Sequence, residues 1–317
     1  MSNLLSSGFY KIKKDPLFRI TLIASVVIGI VFTLCDIDFY DDMFLVPIHI
    51  LIAVFVSLAC GREYSDGTIR NKVISGHNKG KIYLAALILN YGIVLLISAI
   101  FVLVHVVMRV TVFPIASVFT VGDWLLAAVN YILGCFVYTA LFTLVSMLVT
   151  NKALGAIINF ALIIVIMFAS YQVEFELCQP QFYEVQTYEP IILTAEEIDQ
   201  IHNGAYQGLP YQTEIMDDGE VRYFTEKVTI STEQNPRYVS NGLLRTFYKA
   251  CDLVSPHGQI NSYVSYLTSG IQHTNQSRPV LDEEQANLVS TMPLYSVSAI
   301  ILLTTLGWLL FRKKELK

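Results

Sequence analysis

The side chains that most often perform chemistry in proteins are few and scattered in this chain. Its 317 residues include six histidines, and no two of them share a metal-ligand spacing. Three fall within one polar stretch and could converge on a metal ion, but nothing in their spacing requires it. We therefore predict no metal site. The six are His49, His77, His105, His202, His257 and His273.

Sequence motifs for nucleotide binding and for common catalytic sites are absent. The chain has no GxxxxGK[ST] loop, which would cradle the phosphates of a nucleotide. It also lacks HExxH, GxSxG and Cys-x-x-Cys, the patterns of zinc peptidases, serine hydrolases and paired thiols. We predict no catalytic residue and no cofactor in this chain, so the chain by itself is not expected to be an enzyme.

Two of the five cysteines, Cys178 and Cys251, lie in one long polar segment. They could form a disulfide bond in an oxidising compartment. A disulfide requires Cα atoms within about 7 Å of each other, a distance that spacing along the chain does not determine. The sequence leaves this pairing open.

A charged segment, GREYSDGTIRNKVISGHNKGK at 61–81, lies between two apolar stretches. Its Asp-Gly pair at 66–67 predicts a break in the helix that precedes it. Thr68 is predicted to cap a new short helix that ends at Gly76. Ile69 and Val73 are four residues apart and share one helix face, which a groove on a partner protein could accept.

Long apolar segments must hold this charged segment in place. The chain is 54% hydrophobic and 15% charged, against about 25% charged for an ordinary soluble domain. Crossing a bilayer as a helix takes about 20 apolar residues. Six segments meet this condition, which predicts an all-α polytopic membrane protein with six transmembrane helices. They are Leu17–Leu34, Met43–Cys60, Ile82–Val107, Trp124–Val149, Ala153–Tyr171 and Met292–Phe311.

The distribution of charge predicts the orientation in the membrane. Segments 1–19, 61–81, 150–152 and 312–317 hold 14 of the 21 basic residues and four of the 26 acidic residues. Short cytoplasmic segments carry an excess of Lys and Arg. We therefore expect a multi-pass protein of the plasma membrane with both termini in the cytoplasm.

The order of segments predicts three regions. Residues 1–171 would hold an amphipathic interfacial helix, with Leu4, Leu5, Phe9 and Ile12 on one face, and the first five membrane helices. Residues 172–288 would form an extracellular α+β domain with 17 acidic and 6 basic residues. It contains a capping box at Thr194 and Glu197, and a hairpin signal at 218–219. Residues 289–317 would form the sixth helix and a cytoplasmic tail.

The string EYSDGTIRNKVISGHNKGKIYLAALI resembles the cytoplasmic segment of ABC-2-type transporter permeases, of the Gram-positive bacterial type. The N-terminal FYKIKKDPLFRI resembles the interfacial helix and the start of the first membrane helix in that family. LVSPHGQINSYVSYL at 253–267 is similar to a Pro-x-Gly-Gln stretch before the last membrane helix. Most of 172–250 has no counterpart in this resemblance.

The resemblance implies a permease subunit that couples ATP hydrolysis by a separate ATPase subunit to export. ATP and magnesium would bind that partner, and a second permease copy or a homologous permease would complete the complex. The coupling role would fall on Glu63, Gly67, Thr68, Ile69, Arg70, Asn71, Lys72 and Val73. A second contact would lie at the short turn of Asn151 and Lys152.

The sequence leaves alternatives open for both the substrate and the functional class. The acidic 172–288 region could attract a cationic peptide, such as an antimicrobial one, while a lipid or drug-like substrate fits nearly as well. The other interpretation is a membrane-anchored sensor or interaction protein that acts through its extracellular domain. Nucleic acid is not an expected partner, whereas the lipid bilayer is.

Overall fold

The computed structural model describes residues 1–35, 46–112, 121–205, 207–208, 210–216, 220–259 and 283–315. Helices dominate these residues, with one small sheet between the seventh and ninth helices. The helices are α1 (Ser2–Lys14), α2 (Pro16–Leu34), α3 (Val46–Ser65), α4 (Thr68–Ile74), α5 (Lys79–Val112), α6 (Val121–Leu148), α7 (Lys152–Leu177), α8 (Ala195–His202), α9 (Gly242–Val254) and α10 (Glu283–Lys313). The strands are β1 (Phe182–Ile192), β2 (Tyr211–Ile215) and β3 (Val221–Gln234).

Six helices are long and apolar enough to cross a membrane, which confirms the six predicted segments as helices of that kind. Their candidate spans begin and end within a few residues of the predicted limits. The spans are Pro16–Leu34, Val46–Ser65, Lys79–Met108, Ala128–Leu148, Lys152–Leu177 and Ser290–Lys313. The span in α6 is the most buried of the six, so α6 forms the centre of the helix packing.

The chain divides into two compact units. Met1–Glu174 and Thr246–Lys317 form one, which we call the helical unit. Phe175–Arg245 form the other, which we call the sheet unit.

Small residues let the first helices of the helical unit pack closely. The buried face of α2 is a stripe of Thr21, Ser25, Gly29 and Thr33, spaced by four residues. A side chain at Gly29 would begin 3.1 Å from Val104 of α5. Small residues at such spacing allow close contact between membrane helices, where packing rather than exclusion of water drives association.

The N-terminal helix is confirmed as α1, and its contact face is now defined. Leu4 is buried and Ile12 packs against the core. Between them, Gly8 lies so close to Leu89 of α5 that a Cβ atom there would clash with that side chain. Phe9, which the sequence places on the same face, is half exposed. Helix α1 therefore packs on α5 through residues four apart.

The segment after α9 packs against two long helices, α7 and α10. The hydroxyl groups of Ser255 and Ser170 on α7 lie 2.6 Å apart. Ser296 on α10 donates to Gln259 at 2.7 Å. Residues 260–267, the remainder of the stretch that resembles the family pattern, lie outside the described residues.

The sheet unit contains a three-stranded antiparallel sheet in the order β1-β3-β2. The pairing of β2 with β3 confirms the predicted hairpin, whose 218–219 tip lies outside the described residues. The predicted capping box is also confirmed. Thr194 caps α8 and Glu197 bonds back to it, which lowers the pKa of the Glu197 carboxyl, chiefly through the Thr194 backbone N–H.

Cys178 lies in the sheet unit and Cys251 on α9 of the helical unit, and the pairing that the sequence left open stays a prediction. Two cysteines in one polar segment can form a bond only if their backbones approach with suitable geometry. Two cysteines that lie in the same segment of the sequence do not necessarily have that geometry.

Candidate functional site

The charged segment at 61–81 forms the short helix α4, as predicted, between two glycines with left-handed backbone. Gly67 has φ +66° and Gly76 has φ +84°, a region that side chains with a Cβ disfavour. The prediction that Thr68 caps the helix is wrong. Gly67 is the N-cap residue, and Thr68 is already helical because the glycine completes the reversal of the chain. The Thr68 hydroxyl instead accepts a hydrogen bond from Lys11 at 3.3 Å.

Ile69 and Val73, the apolar pair expected to enter a groove on a partner, pack against the protein itself. Ile69 is 1% exposed and belongs to the core of the helical unit. Val73 packs against the same core. A helix beside a hydrophobic core buries its own apolar face there first. These two side chains therefore fix α4 to the bundle.

An ion pair fixes α4 to the end of α3. The Lys72 ammonium lies 2.7 Å from the Glu63 carboxylate, and both side chains are largely buried. These two predicted coupling residues are thus brought together, facing one another. Neither presents its charge to a partner protein.

The opposite face of α4 is open to solvent. Arg70 and Asn71 are exposed, and Ile74 is 73% exposed. Arginine is enriched at protein interfaces. Of the predicted coupling residues, Arg70 and Asn71 are the two whose side chains a partner could reach without displacing the protein's own contacts.

Helix α1 contributes to the same end of the helical unit. Lys11 forms an ion pair of 3.4 Å with Asp66, just before α4. Asp15 caps α2 by accepting from the Leu17 backbone N–H at 2.8 Å, and it also pairs with Arg62 near the end of α3. We call this end, which carries α1, α4, residues 150–152 and Lys314, the basic end.

A groove of about 520 Å³ opens at the basic end, beside α4. It joins three stretches that are far apart in sequence: the α3–α4 junction, the turn before α7 and the tail after α10. Its walls include a cation, Arg70, and an anion, Glu315. The lining residues are Tyr64, Ser65, Gly67, Ile69, Arg70, Thr150 and Glu315.

The turn at 150–152 lies against α3. Asn151 caps α7 by accepting from the backbone N–H of Ala153 at 2.9 Å. A side chain at Gly61 would begin 2.2 Å from the Cβ atom of Lys152, so the two backbones are in close contact. The predicted second contact therefore adjoins the groove, with Thr150 in its lining.

Sequence reasoning missed Lys314, which ties the tail to the groove. Its ammonium donates to the Tyr64 hydroxyl at 2.9 Å and to the carbonyls of Met147 and Leu148 at 2.8 and 2.9 Å. Those carbonyls end α6, where a cation is favourable. Burial lowers the pKa of Lys314 below its usual range. The only signal in the sequence was a basic run after an apolar segment, which predicts orientation alone.

A buried polar layer lies within the packed helices next to the groove. The Asn159 amide on α7 donates to Ser57 on α3 at 2.8 Å and to Ser146 on α6 at 2.9 Å. Asn90 on α5 donates to Thr143 on α6 at 2.9 Å. These contacts are hydrogen bonds between helices, and they join α3, α5, α6 and α7.

Asn130 is the exception among the polar residues of the spans. Its side chain is buried, and neither amide atom has a hydrogen-bond partner among the described residues. His105, by contrast, lies 2.9 Å from the Thr33 hydroxyl and links α5 to α2. Of the histidines considered for a metal, His273 lies outside the described residues. Among the rest of the described chain, no cluster of three or more potential ligands is present.

Comparison with known proteins does not identify a family. No protein-family model matches the chain, and no curated protein sequence matches it.

Proposed function

We propose that this chain is the membrane-spanning permease subunit of an ATP-driven exporter of the ABC-2 type. In this proposal the groove at the basic end receives a separate ATPase subunit, which binds ATP and magnesium. The observation that carries the proposal is the construction of α4: a short helix bounded by two left-handed glycines, anchored on its inner face and open on its outer face.

The anchoring of α4 supports a role in transmitting force. Ile69 is buried and Lys72 is paired with Glu63, so a displacement of α4 would pull on the end of α3. Helix α3 in turn meets α6 and α7 through the layer of Ser57, Ser146 and Asn159. Packed side chains, hydrogen-bond networks and rigid helices carry coupling between distant sites when they have two discrete arrangements.

The proposed mechanism follows from this connection. ATP binding would close two ATPase subunits against each other and move the α4 helix seated on each. The spans would tilt and open a path between this permease and a second copy or a homologous permease. A peptide, lipid or drug-like substrate would then leave through that path.

The charge distribution supports placing the basic end in the cytoplasm, where ATP is available. The four segments that meet at this end hold most of the basic residues of the chain. In this orientation both termini are cytoplasmic and the sheet unit is extracellular.

Copurification tests the proposal. The full chain would be expressed with the ATP-binding-cassette subunits encoded near its gene, solubilised in mild detergent and purified through a tag on the permease. We expect an ATPase to copurify in a constant ratio, and Arg70→Glu to reduce that ratio. Recovery of a well-folded permease without any ATPase would contradict the proposal.

A further inference from the structure

The sheet unit contains a two-stranded ribbon with an open edge. Residues 182–192 of β1 pair with 224–234 of β3 over their whole length. Strand β2 pairs with the other edge of β3, but only over 221–225. Among the described residues no strand pairs with that edge over 226–234. The unpaired backbone groups there form a site for another strand.

Both faces of this ribbon are open to solvent. Tyr188 and its cross-strand neighbour Val228 are 56% and 46% exposed, and Ile230 on the same face is 59% exposed. An isolated pair of strands is only marginally stable in water without a third strand or a packed face. The exposed apolar side chains and the open edge together indicate that a further element completes this ribbon.

Hydrogen bonds fix the base of the ribbon. They keep β1 and β3 paired there, so the edge of β3 stays extended. Asn235 donates to Gln179 at 3.2 Å and to the Pro180 carbonyl at 3.0 Å, just beyond the last strand pair. Arg245 donates to the Leu177 carbonyl at 3.2 Å. These bonds tie the two chain segments together at the foot of the ribbon.

The negative charge of the ribbon favours a cationic partner over an acidic one. Residues 182–190 and 226–234 contain four glutamates and one lysine, and two of the glutamates, Glu226 and Glu233, bracket the open edge. The sheet unit as a whole has twelve acidic and four basic residues between 175 and 245. A second copy of this unit would meet like charges, whereas a cationic partner would be attracted.

We propose that the open edge of β3 at 226–234 binds an extended, cationic amphipathic peptide as an additional strand. The peptide backbone bonds to the unpaired edge, which is the mode of recognition by strand addition. Alternate apolar side chains of the peptide cover Val228 and Ile230. Its basic side chains point to the other face, where Glu233 lies, and Glu226 at the end of the edge adds to the negative potential that attracts them.

This inference adds a ligand class to the proposed function, but it depends only on the sheet unit. Its test contains no ATPase and no nucleotide. Failure of peptide binding would therefore not affect the copurification result. Failure of the copurification would likewise not affect the peptide-binding result.

The experiment uses the full chain in lipid nanodiscs and a fluorescent ten-residue peptide of alternating lysine and valine. Fluorescence anisotropy measures binding, and hydrogen–deuterium exchange locates it. The test variant is Glu226→Gln with Glu233→Gln. The control variant, Glu196→Gln with Asp199→Asn on α8, removes the same charge away from the edge. A peptide with glutamate in place of lysine is the ligand control.

We expect the lysine peptide to bind and to slow exchange of 226–234 amides by about tenfold or more. The test variant should raise the Kd about fivefold, as loss of the attraction of two exposed charges would, and the control variant should not. Equal binding by the test and control variants would overturn the proposal. So would binding without protection of 226–234, or protection that depends on permease concentration instead of peptide, which would assign the edge to a second copy.

Discussion

Lys72 and Glu63 form an ion pair of 2.7 Å between α4 and the end of α3, with both side chains mostly shielded from solvent. The neighbouring cation, Arg70, is exposed at the groove. Two basic residues two positions apart therefore have different roles. Lys72 holds α4 on the bundle, and Arg70 is free to contact a partner.

This difference predicts separate effects of two matched substitutions. Lys72→Met leaves the Glu63 carboxylate without its partner, and we expect a loss of about 1–3 kcal/mol in the free energy of unfolding. Arg70→Met should change it by less than about 0.5 kcal/mol. Unfolding of the detergent-solubilised chain, followed by circular dichroism, measures both. Equal losses for the two variants would show that the ion pair does not anchor α4.

The contact of α3 with α7 predicts an effect of a single methyl group. A Cβ atom at Gly61 would lie 2.6 Å from the Cα atom of Lys152, so the two backbones must separate to accept it. We expect Gly61→Ala to lower the free energy of unfolding by about 1–3 kcal/mol. Gly155→Ala is the control, because its Cβ would find only ordinary contacts near Ser146. A stable Gly61→Ala protein would contradict this packing.

Asn159 and Asn130, two of the buried asparagines, predict opposite outcomes for the same substitution. Asn159→Leu removes the bonds to Ser57 and Ser146 and should cost about 1–2 kcal/mol of unfolding free energy. Asn130→Leu removes an amide with no hydrogen-bond partner among the described residues, and should cost nothing or stabilise the protein. Denaturation by sodium dodecyl sulfate in mixed micelles gives both values. A larger loss in the free energy of unfolding for Asn130→Leu than for Asn159→Leu would contradict the hydrogen bonding of the polar layer.

A buried histidine predicts a pH dependence. Burial lowers the pKa of His257 from 6.5 to about 4, and the ring of Tyr171 lies against it. Between these pH values the unfolded chain binds a proton that the folded chain does not. Stability should therefore fall as the pH falls from about 6.5 to 4, by about 3 kcal/mol in all. The His257→Gln variant should lose this part of the pH dependence of the free energy of unfolding. An unchanged pH dependence would contradict the lowered pKa of His257.

The sequence was sufficient to predict the elements whose cause is local. Apolar length predicts the six helices, and Gly67 and Gly76 predict the bounds of α4. Thr194 and Glu197 predict the cap of α8. Each of these depends on residues close together in the chain, where spacing and backbone preference determine the outcome.

Features that depend on distant neighbours could not be predicted in this way. Ile69 and Val73 form an apolar pair that suits a partner or the protein's own core equally well, and only the folded bundle decides between them. Lys314 contacts Tyr64, 250 residues away in sequence. The open edge of β3 results from the short length of β2 and from strand order, neither of which periodicity determines.

Site-specific photocrosslinking at α4 tests the central claim most directly. A photoreactive phenylalanine analogue would replace the exposed Ile74, and for comparison the exposed Leu103 on α5, in cells that express the chain with the ATPase subunits encoded near it. We predict that irradiation links position 74, but not position 103, to an ATPase subunit, and that Arg70→Glu weakens the crosslink. Crosslinks to no ATPase at position 74, or equally to both positions, would contradict the claim that α4 is its seat.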